Sequence, residues 1–179
     1  MDKLRLFHVS EEAHIEVFEP RIPVRKELDQ TKGLVWAITE ACLPNFLTPR
    51  NCPRVAFHTT SNDQRQAYDH LFSTSKVNHV VAIENKWFET MKNTTLYVYE
   101  FDTSHFVLQD QSAGYYVSTR TETPIAKYTY DNLFSALFER QVEVRLLPHL
   151  WDLADTVKET DMSWSLCRMG LAIPRPEVV

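Results

Sequence analysis

The chain has 179 residues, 44% of them apolar and 24% charged, with a formal net charge of −5. That profile is too hydrophobic for disorder, and the 19 Lys and Arg residues are scattered rather than gathered into the positive stripe a phosphate backbone requires, so nucleic acid is disfavoured as a partner. No apolar run reaches the ~18 residues that cross a bilayer, and the start lacks the long apolar region of a secretory signal, which points to a cytoplasmic chain with no membrane association.

In chain order, Leu4 to Val9 reads as a first strand with His8 near its end. Residues 11–30, broken by Pro20 and Pro23, read as a loop with at most a short strand at Ile15 to Phe18. Gly33 to Thr39 is a nearly continuous apolar strand followed by a helical stretch from Glu40 to Phe46. A loop stiffened by Pro49 and Pro53 leads into a strand from Val55 to Thr59. Ser61 or Asn62 is placed to cap a helix from about Asp63 to Phe72, and a strand follows at Val77 to Ile83. Trp87 to Met91 suggests a helical turn, Leu96 to Phe101 a strand, and Phe106 to Leu108 with Tyr115 to Thr119 a hairpin around Gly114. Asp131 is placed to cap a helix from Asn132 to Arg140, and Gln141 to Leu147 then alternates as a strand. Pro148 opens a last helix carrying Leu150, Leu153, Ala154 and Val157, and residues 165–179 are expected as an extended, proline-broken tail.

Strands dominate without regular helical alternation, which predicts a single α+β domain over 1–179, with mixed or antiparallel split sheets and flanking helices. Gly33, Gly114 and Gly170 are the only glycines, so the clustered glycines of a P-loop or Rossmann phosphate loop are absent. Three widely spaced cysteines, Cys42, Cys52 and Cys167, form neither a disulfide framework nor a CxxC motif. Seven histidines fall in no metal-ligand spacing, and no metal is expected.

Strict alternation puts Gln141, Glu143 and Arg145 on one strand face, able to touch one substrate or else simply solvated. His8 is a candidate ligand-binding group, with a core-edge histidine bonded to a main-chain carbonyl as the other reading. Trp36, Tyr115 and Tyr116 are rings that could stack on a flat ligand or fill the core. Arg50 and Arg54, on their proline-stiffened loop, suit a bidentate diphosphate clamp, and Arg21, Arg25 and Lys26 a local basic patch.

Leu-Phe-His-Val-Ser in the first strand, Val-Trp-Ala-Ile-Thr in the second and Gln-x-Glu near the end together resemble the ADP-ribosyltransferase-like superfamily. The sequence is also similar to an uncharacterised bacterial protein family without an assigned activity. The superfamily resemblance implies NAD as a substrate, His8 on the nucleotide ribose, Trp36 or Thr39 in the second-strand role, Glu143 as catalytic carboxylate and Gln141 facing a small-molecule or protein acceptor. Neither a Ser-Thr-Ser triplet nor a tyrosine stands in the second strand, and this departure favours a catalytically inert small-ligand or protein-binding module on the same fold.

Overall fold

The computed structural model describes residues 3–24 and 26–176, an α+β chain with two sheets in two compact units. The first unit holds the chain up to Leu43 together with Leu96–Tyr130, and the second holds Pro44–Thr95 with the residues from Asp131 onward.

In the first unit, β1 (Leu6–Ser10), β2 (Val35–Thr39), β5 (Leu96–Phe101), β6 (Val107–Asp110), β7 (Tyr115–Ser118) and β8 (Ala126–Tyr130) form one antiparallel sheet in the order β6-β7-β2-β1-β5-β8. Alternation drives it. Leu6 on β1, Val35 and Ala37 on β2, and Tyr99 and Phe101 on β5 turn to one face and pack with Phe18 and Phe106. Phe18 comes from the polar loop, which makes no strand there but a single bridge to Glu122, and its ring stands edge-on to Tyr99 and Phe101 at 5.2 and 5.0 Å.

In the second unit, β3 (Arg54–His58), β4 (His79–Glu84), β9 (Glu143–Leu147) and β10 (Ser163–Cys167) form a mixed sheet in the order β10-β3-β4-β9, parallel only between β4 and β9. Val55, Phe57, Val80 and Ala82 on one face pack against Leu150, Ala154 and Val157 around α4 (Trp151–Lys158). The shorter helices are α1 (Asn62–Ala67), α2 (Phe88–Asn93) and α3 (Leu133–Phe138).

Several sequence expectations change, among them the last helix, which opens at Trp151 and not at Pro148. Residues 165–167 belong to β10 rather than to a tail, because Trp164 and Leu166 have an apolar face to bury against the β3 side of the core. The expected helix to Phe72 stops as an α-helix at Ala67 and continues as a 3-10 turn from Asp69 to Leu71. Asn132, not Asp131, caps α3, its Oδ1 accepting from Ser135 N at 3.0 Å. Gln141 is not in a strand: it adopts a left-handed conformation, φ 57°, in the turn that ends α3, where its N–H donates to Phe138 O at 2.9 Å and Val142 N donates to Leu137 O at 3.1 Å.

Candidate functional site

His8 sits where the β1–β2 ladder ends after two residue pairs, Leu6 with Thr39 and Phe7 with Ile38. The next carbonyl on β2, that of Trp36, accepts from His8 Nδ1 at 2.9 Å, so the imidazole completes in side-chain form a ladder that the backbone leaves open. A carbonyl can only accept, which fixes the proton on Nδ1. The ring lies 4.9 Å from that of Phe18, and burial holds its pKa below the ordinary histidine value despite the Trp36 bond, with Arg21 adding to the depression. Thr39 shares the His8 face and is pinned by Gly114, whose O accepts from Thr39 N at 3.0 Å. A Cβ at Gly114 would meet Thr39 Oγ1 at 2.7 Å and Cys42 Sγ at 2.6 Å, and φ is +64°, so only glycine fits there. The Trp36 side chain leaves the opposite face, edge-on to Tyr115 at 5.5 Å. Within this unit the structure therefore joins His8 to Thr39 on one face and to Trp36 only through its main chain.

Glu143 opens β9 on the face that carries Phe57, Val80 and Ala82. Its Oε1 accepts from Arg145 Nε and Ser73 Oγ, both at 2.7 Å, and its Oε2 from Ser73 N at 3.0 Å. Burial is the largest single influence on this carboxyl and pushes its pKa up, yet the bonds from Arg145 and Ser73 together outweigh it and leave the value below the ordinary one. Arg145 in turn donates to Leu71 O at 2.5 Å and lies over the Phe57 ring at 5.8 Å. Gln141, exposed in its turn, does not share this face.

The arginine loop divides. Arg50 is exposed, whereas Arg54 is turned inward, its Nε donating to Asn45 O at 2.7 Å, its Nη1 to Cys52 O at 3.2 Å and its guanidinium lying over the Phe46 ring. It braces main-chain carbonyls instead of presenting a fork to an anion. Cys52 beside it is buried, and that burial pushes its thiol up to about 12, away from nucleophilic use. Of the second basic group, Arg21 and Lys26 are exposed and Arg25 lies outside the described residues.

Sequence reasoning missed a buried pair. His58 and His79 face one another across β3 and β4 with their rings stacked 4.7 Å apart at 25°. Asn45 Oδ1 accepts from His79 Nε2 at 2.7 Å, while His58 Nδ1 is buried without a hydrogen-bond partner among the described residues. Desolvation lowers the pKa of His58, and that of His79 falls to about 3 through burial and the neighbouring His58, so both rings are neutral. The only trace in the sequence is a histidine at the end of one apolar run and another at the start of the next. Their meeting depends on a register across 20 intervening residues.

The second unit also carries an open groove of about 510 Å³, lined by Phe88 of α2, Phe134 and Phe138 of α3, and Val144 and Leu146 of β9, with Lys92 at its rim. Among the described residues no group of three His, Cys, Asp or Glu stands ready to hold a metal, and no helix is long and apolar enough to cross a membrane.

A family model described as "Family of unknown function (DUF6886)" matches residues 7–172. No curated protein and no solved structure matches the chain.

Proposed function

The chain belongs to the DUF6886 family, and from that premise we propose that it is a non-catalytic binding module on a two-sheet α+β scaffold, taking a protein or small-molecule ligand. One observation carries the reading: the Glu143 carboxylate is already neutralised by Arg145 Nε at 2.7 Å. Cleavage of a nicotinamide–ribose bond builds positive charge at the anomeric carbon, and a carboxylate stabilises it only with charge to spare. Here a guanidinium occupies the same oxygen. Gln141, displaced into a turn, lacks the strand position from which it would face an acceptor.

A second reading, an ADP-ribosyltransferase-like enzyme that takes NAD and uses Glu143, is favoured by the fixed, ionised state that Ser73 and Arg145 impose on Glu143. Calorimetry at about millimolar NAD together with a nicotinamide-release assay separates the two. The binding-module reading expects no heat of binding and equally negligible release from the wild type and Glu143→Ala. Release that depends on Glu143 would overturn it in favour of the transferase.

A further inference from the structure

After β10 and a 3-10 turn at Met169–Leu171, no hydrogen bond between main-chain groups reaches residues 173–176 among the described residues. Side chains hold this segment instead. Glu84, wholly buried at the end of β4, accepts the Ile173 N–H on Oε1 at 2.6 Å, with Lys86 Nζ 3.0 Å from its Oε2. Trp151 Nε1 donates to the Ile173 carbonyl at 2.7 Å. One turn further along α4, Asp155 accepts from both Nη groups of Arg175, whose guanidinium lies over the Trp151 ring at 4.8 Å. The segment has the conformation these groups suit. Ala172 stands at φ −68° and ψ 159°, in the polyproline II region. Pro174 and Pro176 fix their own φ and disfavour the helical region at Ile173 and Arg175. Such a backbone satisfies none of its own N–H and C=O groups and loses little entropy when it docks.

We infer that Glu84, Trp151 and Asp155 form a receptor for an extended X-Pro-Arg-Pro segment of a partner protein, and that residues 173–176 occupy it in cis as a competitor. Every contact comes from a side chain of the receptor. An incoming segment therefore needs only an N–H, the carbonyl that precedes a proline, and an arginine two residues along, which is what Ile173, Pro174 and Arg175 supply. The carboxylate and the indole ring select arginine over lysine, because a planar fork can pair bidentately with Asp155 and stack on Trp151 at once. Asp152 adds to the attraction for a cation at this end of α4. Pro174 and Arg175 are exposed, and the Arg175–Asp155 pair is 50% exposed on both sides, so it contributes little in water and gives way first to a competing arginine. The inference names a partner for the binding-module reading and rests on it.

Calorimetry of the full chain with an end-blocked Ala-Ile-Pro-Arg-Pro peptide tests the receptor. A tethered tail competes at an effective concentration of about 1 mM, so a peptide with an intrinsic dissociation constant of about 100 µM binds the wild type about tenfold more weakly than a chain whose tail is loosened. Arg175→Glu loosens it by setting a carboxylate against Asp155, and is expected to tighten peptide binding by about that factor. Adding Asp155→Ala, or changing the peptide to Ala-Ile-Pro-Glu-Pro, is expected to abolish the gain. Arg175→Glu that binds the peptide no more tightly than the wild type would overturn the inference, and equal binding of the two peptides would overturn it as well. Hydrogen exchange in the wild type needs no variant. Peptide at about 5 mM should speed exchange of the Ile173 amide by displacing it from Glu84, and an unchanged rate counts against the receptor. Nicotinamide release that depends on Glu143 would overturn the binding-module reading, whereas failure of the peptide to bind, without such release, removes the receptor alone.

Discussion

A carboxylate gripped by one guanidinium and by both donors of a serine acts as a rivet between β9 and the Leu71–Ser73 segment. Removing it strands Arg145, whose side chain is only 23% exposed, without its counter-charge. Glu143→Ala is therefore expected to lower the free energy of unfolding by about 1–3 kcal/mol in urea titrations. Because the folded carboxyl titrates below its unfolded value, this contribution is complete above about pH 4.5 and is lost as pH falls below it. Gln141 carries the opposite expectation. Its φ of 57° costs any residue with a Cβ, so Gln141→Gly should raise thermal stability by about 0.5–1 kcal/mol. Glu143 as a strand residue was legible in the alternation of Val142, Val144 and Leu146. The turn at Gln141 was not, because helix ends of this kind usually announce themselves with Gly or Asn, and here α3 stops on Gln.

Among the elements, the β3–β4 pair is sensitive to pH through its two histidines. His58 and His79 are buried and neutral, faced by Asn45 and by each other, with Arg54 further along the same face of β3. An unfolded histidine titrates near 6.5 and His79 in the fold near 3, so the unfolded chain binds the extra proton first. Stability is then complete above about pH 6.5 and declines as pH falls from there toward 3. The midpoint of thermal unfolding should drop over that range, and His79→Gln, which keeps a donor for Asn45, should flatten the decline. Strands with a buried stripe, such as β2, β4 and β5, were plain from their apolar runs. β8 was missed because it is a sheet edge with mostly exposed residues and no stripe to read. β10 was missed because Ser163, Ser165 and Cys167 dilute the apolar signal of Trp164 and Leu166. The β1–β2 junction shows the same limit. The end of that ladder after two pairs is not visible in the sequence, and neither is the bond from His8 Nδ1 to the Trp36 carbonyl that stands there.

Over the whole molecule, each unit is assembled from two separated stretches of chain. β1 makes its longest ladder, five pairs, with β5, about ninety residues away by count along the sequence, and β4 pairs with β9 across about sixty. Folding should therefore take milliseconds to seconds in stopped-flow fluorescence rather than microseconds. A fragment ending at Thr95 lacks β5 and β7, the main partners of β1 and β2, and is expected to give the circular dichroism of an unfolded chain. Neither interval was visible in local pattern, which reports which face of an element is apolar and not which element will cover it.

Near the C-terminus, Glu84 Oε1 accepts from Ile173 N at 2.6 Å, Trp151 Nε1 donates to Ile173 O at 2.7 Å, and Arg175 pairs with Asp155. Two side chains thus read the main-chain N–H and C=O of one residue, and the identity of its side chain is immaterial to both bonds. Position 173 is in that sense free to drift in evolution through nineteen of the twenty amino acids as far as its anchoring goes, and proline, which has no N–H to give Glu84, is the one that would break the first of these bonds.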